Sequence, residues 1–245
     1  MPRPTPAPRR PLPTILALAL ACTPLACDGV RRASLKTVDP GVQKHPRWER
    51  ERGGDGSFRL GPYTIERARI RESSVDLAMV TPAVGPRRPG WRYDLELVVH
   101  GPDRDFRATC TGHRVPTVGA DYGEVADLTN DEVRVTCDVQ GEHRWHLEAG
   151  GRLDKNVGGT MTATDAPAIA PLKLEVLLWV VKLKLIRRHL DAPVLQLRRD
   201  TQVLGAMIVA RPEWAWIAAG ESSEVRGVVL TTLAAIDALP LGFED

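Results

Sequence analysis

The chain has 245 residues, 43% of them apolar and 26% charged, a balance that excludes an intrinsically disordered protein and leaves room for one large domain or two small ones. Its formal net charge is +2, but Arg3, Arg9 and Arg10 precede Cys27 and no acid does, so the chain beyond Cys27 is close to neutral. Such a body gives no electrostatic case for nucleic acid as a partner.

The first residues have the three parts of a secretory signal. Arg3, Arg9 and Arg10 form a positive start, Leu12 to Leu20 an apolar run, and small residues surround Cys22 and Cys27 in ALAC-TPLAC. The run is shorter than the roughly 20 residues that a membrane-spanning helix needs. The expectation is a signal peptide over 1–26. Arg9-Arg10 is a poor twin-arginine signal, because Pro11-Leu12-Pro13 follows it.

The cysteines at this boundary resemble the bacterial lipobox, in which a small or apolar triplet precedes the cysteine that becomes diacylglyceryl-modified. That family usually has Leu three residues before the cysteine, whereas Ala19 stands there before Cys22 and Pro24 before Cys27. Parity favours Cys27. Its acylation leaves Cys110 and Cys137 to pair, while acylation of Cys22 leaves Cys27 as an odd thiol. Ordinary cleavage after Ala19-Leu20-Ala21, giving a soluble secreted protein, is the alternative. The resemblance implies an envelope lipoprotein, periplasmic or on the outer surface, with the membrane as a partner through its anchor.

Residues 27–56 read as a polar tether with Pro40, Pro46 and Gly53-Gly54 and few apolar side chains to bury. Residues 57–245 read as a single, mostly β domain. Tyr63 to Ile70, Val75 to Val80, Trp91 to His100, Phe106 to Thr111, Val133 to Val139, His143 to Leu147 and Gly158 to Thr164 have strand texture between Gly, Pro and Asp breakers. The loop from Gly112 to Asp131 is long.

Pro171 to His189 carries Leu174, Leu177, Leu178, Val181 and Leu185 at helical spacing, so one internal helix, largely buried, is expected there over a long strand. Strands return at Val194 to Leu197, Val203 to Val209 and Trp214 to Ile217. The chain then reaches a helix over 223–239, which Ser222 or Ser223 caps and in which only Thr231, Thr232 and Asp237 are polar between Val228 and Leu239. The fold expected is mainly β, a barrel or sandwich of about ten strands with a buried C-terminal helix; α+β is the alternative.

Segment 202–239 (QVLGAMIVARPEWAWIAAGESSEVRGVVLTTLAAIDAL) resembles, in order and hydrophobicity, the end of the tubby and scramblase-like barrel, where a terminal helix threads a closed sheet. The resemblance implies binding of lipid or a membrane surface rather than catalysis. No binding residue of that family has a counterpart here.

Candidate chemistry is sparse. Cys110 and Cys137 lie in expected strands of an exported chain, so a disulfide is the simplest reading. A metal site on Cys110, His113, Cys137, His143 and His146 is the alternative, although residues i and i+3 of a strand face opposite sides; unpaired thiols are the third possibility. Gly220-Glu221-Ser222-Ser223-Glu224 lacks the last glycine of a nucleophile elbow. Asp121, Glu124, Asp127, Asn130, Asp131 and Glu132 match no EF-hand spacing. Trp214 and Trp216 share a strand face, as in a barrel wall. No P-loop, dinucleotide fingerprint or HExxH implies a cofactor, and no catalytic residue is assigned. Two functions remain: a non-catalytic module that binds a lipid, a ligand or a protein partner, and a secreted hydrolase whose site assembles only in three dimensions, around His100, His113 or His146.

Overall fold

Strict alternation builds the longest strands. In GWRYDLELVVH, Tyr93, Leu95, Leu97 and Val99 are buried while Arg92 and Glu96 are exposed; in EVRVTCDVQ, Val133, Val135, Cys137 and Val139 are buried between exposed neighbours. A period of two puts every second side chain on one face, so these strands form a sheet with one wet side and one dry side.

The computed structural model describes residues 34–75, 90–115, 131–152, 157–177, 193–209 and 213–241. Cys22 and Cys27, residues 76–80, most of the long loop and residues 178–189 lie outside the described residues. The strands are β1 (Arg47–Glu49), β2 (Glu51–Arg52), β3 (Phe58–Leu60), β4 (Tyr63–Ile65), β5 (Arg69–Val75), β6 (Gly90–His100), β7 (Asp105–Val115), β8 (Glu132–Gln140) and β9 (Arg144–Arg152). They continue with β10 (Val157–Ala163), β11 (Leu172–Leu177), β12 (Val194–Arg199), β13 (Gln202–Ile208) and β14 (Trp214–Ile217), and the C-terminal helix (Ser223–Ala238) follows.

All fourteen strands join one antiparallel sheet in the order β1-β14-β13-β12-β11-β10-β9-β8-β7-β6-β4-β3-β2, with β5 also on β6. The two ends of that path are consecutive in the chain, separated only by Arg50. One extended segment therefore pairs with β14 on one side and with β3 on the other, drawing the sheet into a nearly closed barrel. The β3–β4 turn fits beneath it. Gly61 has φ +57, and a β-carbon there would meet the Trp48 indole at 2.5 Å. Only glycine adopts this conformation without strain while admitting the ring.

The C-terminal helix occupies the interior. Ser222 caps it, accepting from Val225 N at 3.2 Å, and Glu224 sits in its positive first turn. It packs against β6, β7 and β8 on one side and β12, β13 and β14 on another. Buried residues surround it on every face, including Val228, Val229, Leu230, Leu233 and Ile236 at 0–1% exposure. Burial of each such side chain contributes about 1.5–3 kcal/mol, which makes the helix the main filling of the barrel. The fold is mainly β with a buried C-terminal helix, as the sequence leads one to expect.

Two expectations need correction. Residues 34–52 are no tether: Val38 and Val42 are 1% exposed and pack with Val194, Val203, Ala206, Ile208, Trp214 and Trp216 in a second core. That core lies on the outer face of β12–β14, so β14 is buried on both sides and the two indoles belong to the covered outer wall. The packed domain thus begins by Ser34 rather than Ser57. The expected internal helix is, over Leu172–Leu177, the strand β11: Leu172, Leu174 and Val176 face inward and Lys173 points out, so period two wins over leucine content.

Candidate functional site

Cys110 and Cys137 stand directly opposite each other on β7 and β8, with Cα atoms 4.1 Å apart and sulfurs at bonding distance. Both are 1% exposed, inside the barrel. The metal alternative is not assembled. His113 is on the outer face, flanked across the strands by Arg92 and Arg134, and His143 is in the β8–β9 turn, its Nδ1 3.5 Å from Asp165. Among the described residues no three His, Cys, Asp or Glu side chains gather as metal ligands.

The remaining histidines of interest are bracketed by carboxylates on the outer face. His100 has Asp105 at 2.9 Å from Nδ1 and Glu66 at 3.0 Å from Nε2. His146 has Asp138 at 2.7 Å from Nδ1 and Glu148 at 3.4 Å from Nε2. The hydrogen bond to Asp105, then that to Glu66, raises the His100 pKa; the bond to Asp138 does the same for His146. Burial, then the Arg92 charge, lowers that of His113. Neither bracketed imidazole has a hydroxyl or thiol among these partners, which leaves no nucleophile–base pair at either ring.

The buried acids hold the barrel ends. Glu224 accepts from Glu142 N (3.0 Å), His143 N (3.2 Å) and Trp145 Nε1 (3.3 Å), and pairs with Arg104 at 3.4 Å. One carboxylate thus fixes the helix N-terminus to the β6–β7 and β8–β9 turns. At the other end Arg50 bridges Glu213 (2.7 Å) and Asp237 (3.3 Å), with its guanidinium 3.7 Å over the Phe58 ring. Of the acidic cluster, Asp131 and Glu132 are described: Glu132 opens β8, and the buried Asp131 carboxylate pairs with Arg114 at 2.7 Å.

A feature the sequence reading missed lies at β5. This strand pairs with β6 alone, and its other edge faces no described strand. None of Arg69 to Ser74 is buried, and Ile70, at 42% exposure, is the one large apolar side chain exposed among the described residues. Beside it, where residues 66–68 separate β4 from β5, runs a cleft of about 560 Å³ lined by Asp55, Ser57, Glu66, Arg67, Ala68, Arg69 and Ile70. Its acids are engaged, Asp55 by Ser57 and Glu66 by His100. Arg67, Arg69 and Arg71 make no side-chain hydrogen bond or ion pair among the described residues. The spacing Arg67-x-Arg69-Ile70-Arg71 is the signal that points to it.

No protein-family model, no curated protein and no solved structure matches the chain.

Proposed function

We propose that this chain is a non-catalytic binding module of the bacterial cell envelope, held at a membrane surface by an acylated Cys27. The observation that carries the reading is that the barrel interior is filled by the chain's own helix, so recognition falls to the outer surface and the open seam at β5. The bracketing of His100 and His146 on an exposed face supports binding over hydrolysis. The strand series followed by a central terminal helix supports the likeness to tubby and scramblase-like barrels, and with it a station at a lipid surface.

The short distance from anchor to domain refines this. Fully extended, the seven steps from Cys27 to Ser34 span at most about 25 Å. Acylation at Cys27 then holds the barrel close to the bilayer rather than on a long stalk. A single acyl chain binds reversibly and two anchor stably, so a diacylated form fractionates wholly with membranes. The test is fractionation of Cys27→Ser and Cys22→Ser variants. Release or failed processing of the first, with the second unchanged, is expected. The reverse pattern moves the anchor to Cys22, and a soluble parent protein overturns it.

A further inference from the structure

We propose that the edge of β5 left unpaired among the described residues accepts an extended, acidic segment of a partner protein as an added strand; this rests on the non-catalytic reading and names its partner class. An unpaired edge presents a row of backbone donors and acceptors that a second chain completes, with flanking side chains setting specificity. β5 has seven residues, pairs with β6 alone among the described strands, and borders an open cleft.

The register defines the guest. On the outer face Arg69 stands opposite Glu96 and Arg71 opposite Asp94, so each arginine has an acid on one side and no described strand residue on the other. An acidic residue on that other side continues the alternation of sign along each row, which stabilises cross-strand pairs. On the inner side Ile70 stands opposite Leu95, which is 1% exposed, so Ile70 extends an apolar row and is left uncovered at its end. The complementary strand alternates acidic and apolar residues, with the apolar ones over Ile70. Arginines alone are also the common guard of an exposed edge, but a guard does not call for an exposed isoleucine beside a cleft. A second copy of this strand would set arginines near arginines, which disfavours self-pairing.

The experiment uses the purified full-length chain and a short labelled peptide alternating glutamate and valine. Three comparisons are made: the same peptide with alternate amides N-methylated, a lysine–valine peptide, and the R69E/R71E double variant. Expected are saturable binding with new amide-exchange protection confined to β5, loss with the N-methylated peptide, and weakening of about tenfold by the charge reversal, with gain for the lysine peptide. Equal binding of the N-methylated peptide, protection elsewhere, or concentration-dependent dimers with no peptide binding overturns strand addition. Mass spectrometry of the recovered peptide separates the two readings, since an intact, unbound peptide sinks only the edge proposal and a cleaved one sinks the non-catalytic function.

Discussion

The Phe106 ring rests directly on Gly227: a β-carbon added to that glycine would lie 2.0 Å from Phe106 Cζ. Glycine inside a helix ordinarily costs about 1 kcal/mol relative to alanine, so the substitution Gly227→Ala would stabilise an unpacked helix. Here overpacking reverses the sign. Gly227→Ala is expected to destabilise by about 1–3 kcal/mol, read from the denaturant midpoint, and Phe106→Leu in the same chain to recover part of the loss. A raised midpoint for the single variant removes the close contact.

Glu224 is the second test of the helix seat. Removing a buried carboxylate leaves Trp145 Nε1, two backbone amides and Arg104 short of an acceptor. Glu224→Ala is expected to cost about 3–5 kcal/mol, as for a broken buried pair. Glu224→Gln, which keeps an acceptor oxygen, should lose clearly less. Equal losses would mean that the hydrogen bonds do not hold the turns.

The Cys110–Cys137 pair is inside the barrel between neighbouring strands. Non-reducing peptide mapping should recover one cross-linked pair, and alkylation should detect neither thiol before unfolding with reductant. Closing a loop of this length stabilises by about 3–4 kcal/mol on the chain-entropy account. Two alkylatable thiols in the folded, unreduced protein would refute the bond.

The pH response separates the three outer histidines. His100 and His146 have folded pKa values raised by their carboxylates, so their stabilisation is full below the unfolded value of about 6.5 and is lost as pH rises through the folded values. His113 is lowered, so its contribution is intact above that value and is lost as pH falls through the folded one. Imidazole titrations should order them accordingly. The Tm deficit of His146→Gln should be larger in mild acid than in mild alkali. A deficit independent of pH would leave only packing.

Where the domain starts is testable by truncation. A chain beginning at Ser34 is expected to melt cooperatively, whereas one beginning at Ser57 lacks β1, β2 and the outer cover of Trp214 and Trp216. A chain ending before Ser222 lacks the interior filling. Both of the latter should fail to fold, as judged by amide protection. A cooperative Ser57 chain would return residues 34–56 to a tether.

Strands with one wet face were legible because their side chains record it: Val133, Val135, Cys137 and Val139 alternate with exposed partners. The terminal helix was legible from its apolar surround. β1 and β2 were not, because they are short, mostly exposed in side chain and held by backbone pairing; Leu35, Val38, Val42 and Trp48 were the sparse apolar clue. β11 was misread because leucine weighs towards helix, although Leu172-Lys173-Leu174-Glu175-Val176 alternates. The β5 seam has only the spacing Arg67-x-Arg69-Ile70-Arg71 to signal it, because its other edge meets no described strand.

The helix that fills this barrel follows every described strand, and the segment that closes the barrel, residues 47–52, precedes nearly all of them. Order in space is therefore the reverse of order in time. A chain made from its N-terminus emerges with its closing strand and no centre to close around. Pairing β1 with β14 must wait for contacts more than 160 residues apart, a topology of slow folding. The wait leaves long stretches of apolar strand uncovered in the interim, the period in which such chains aggregate.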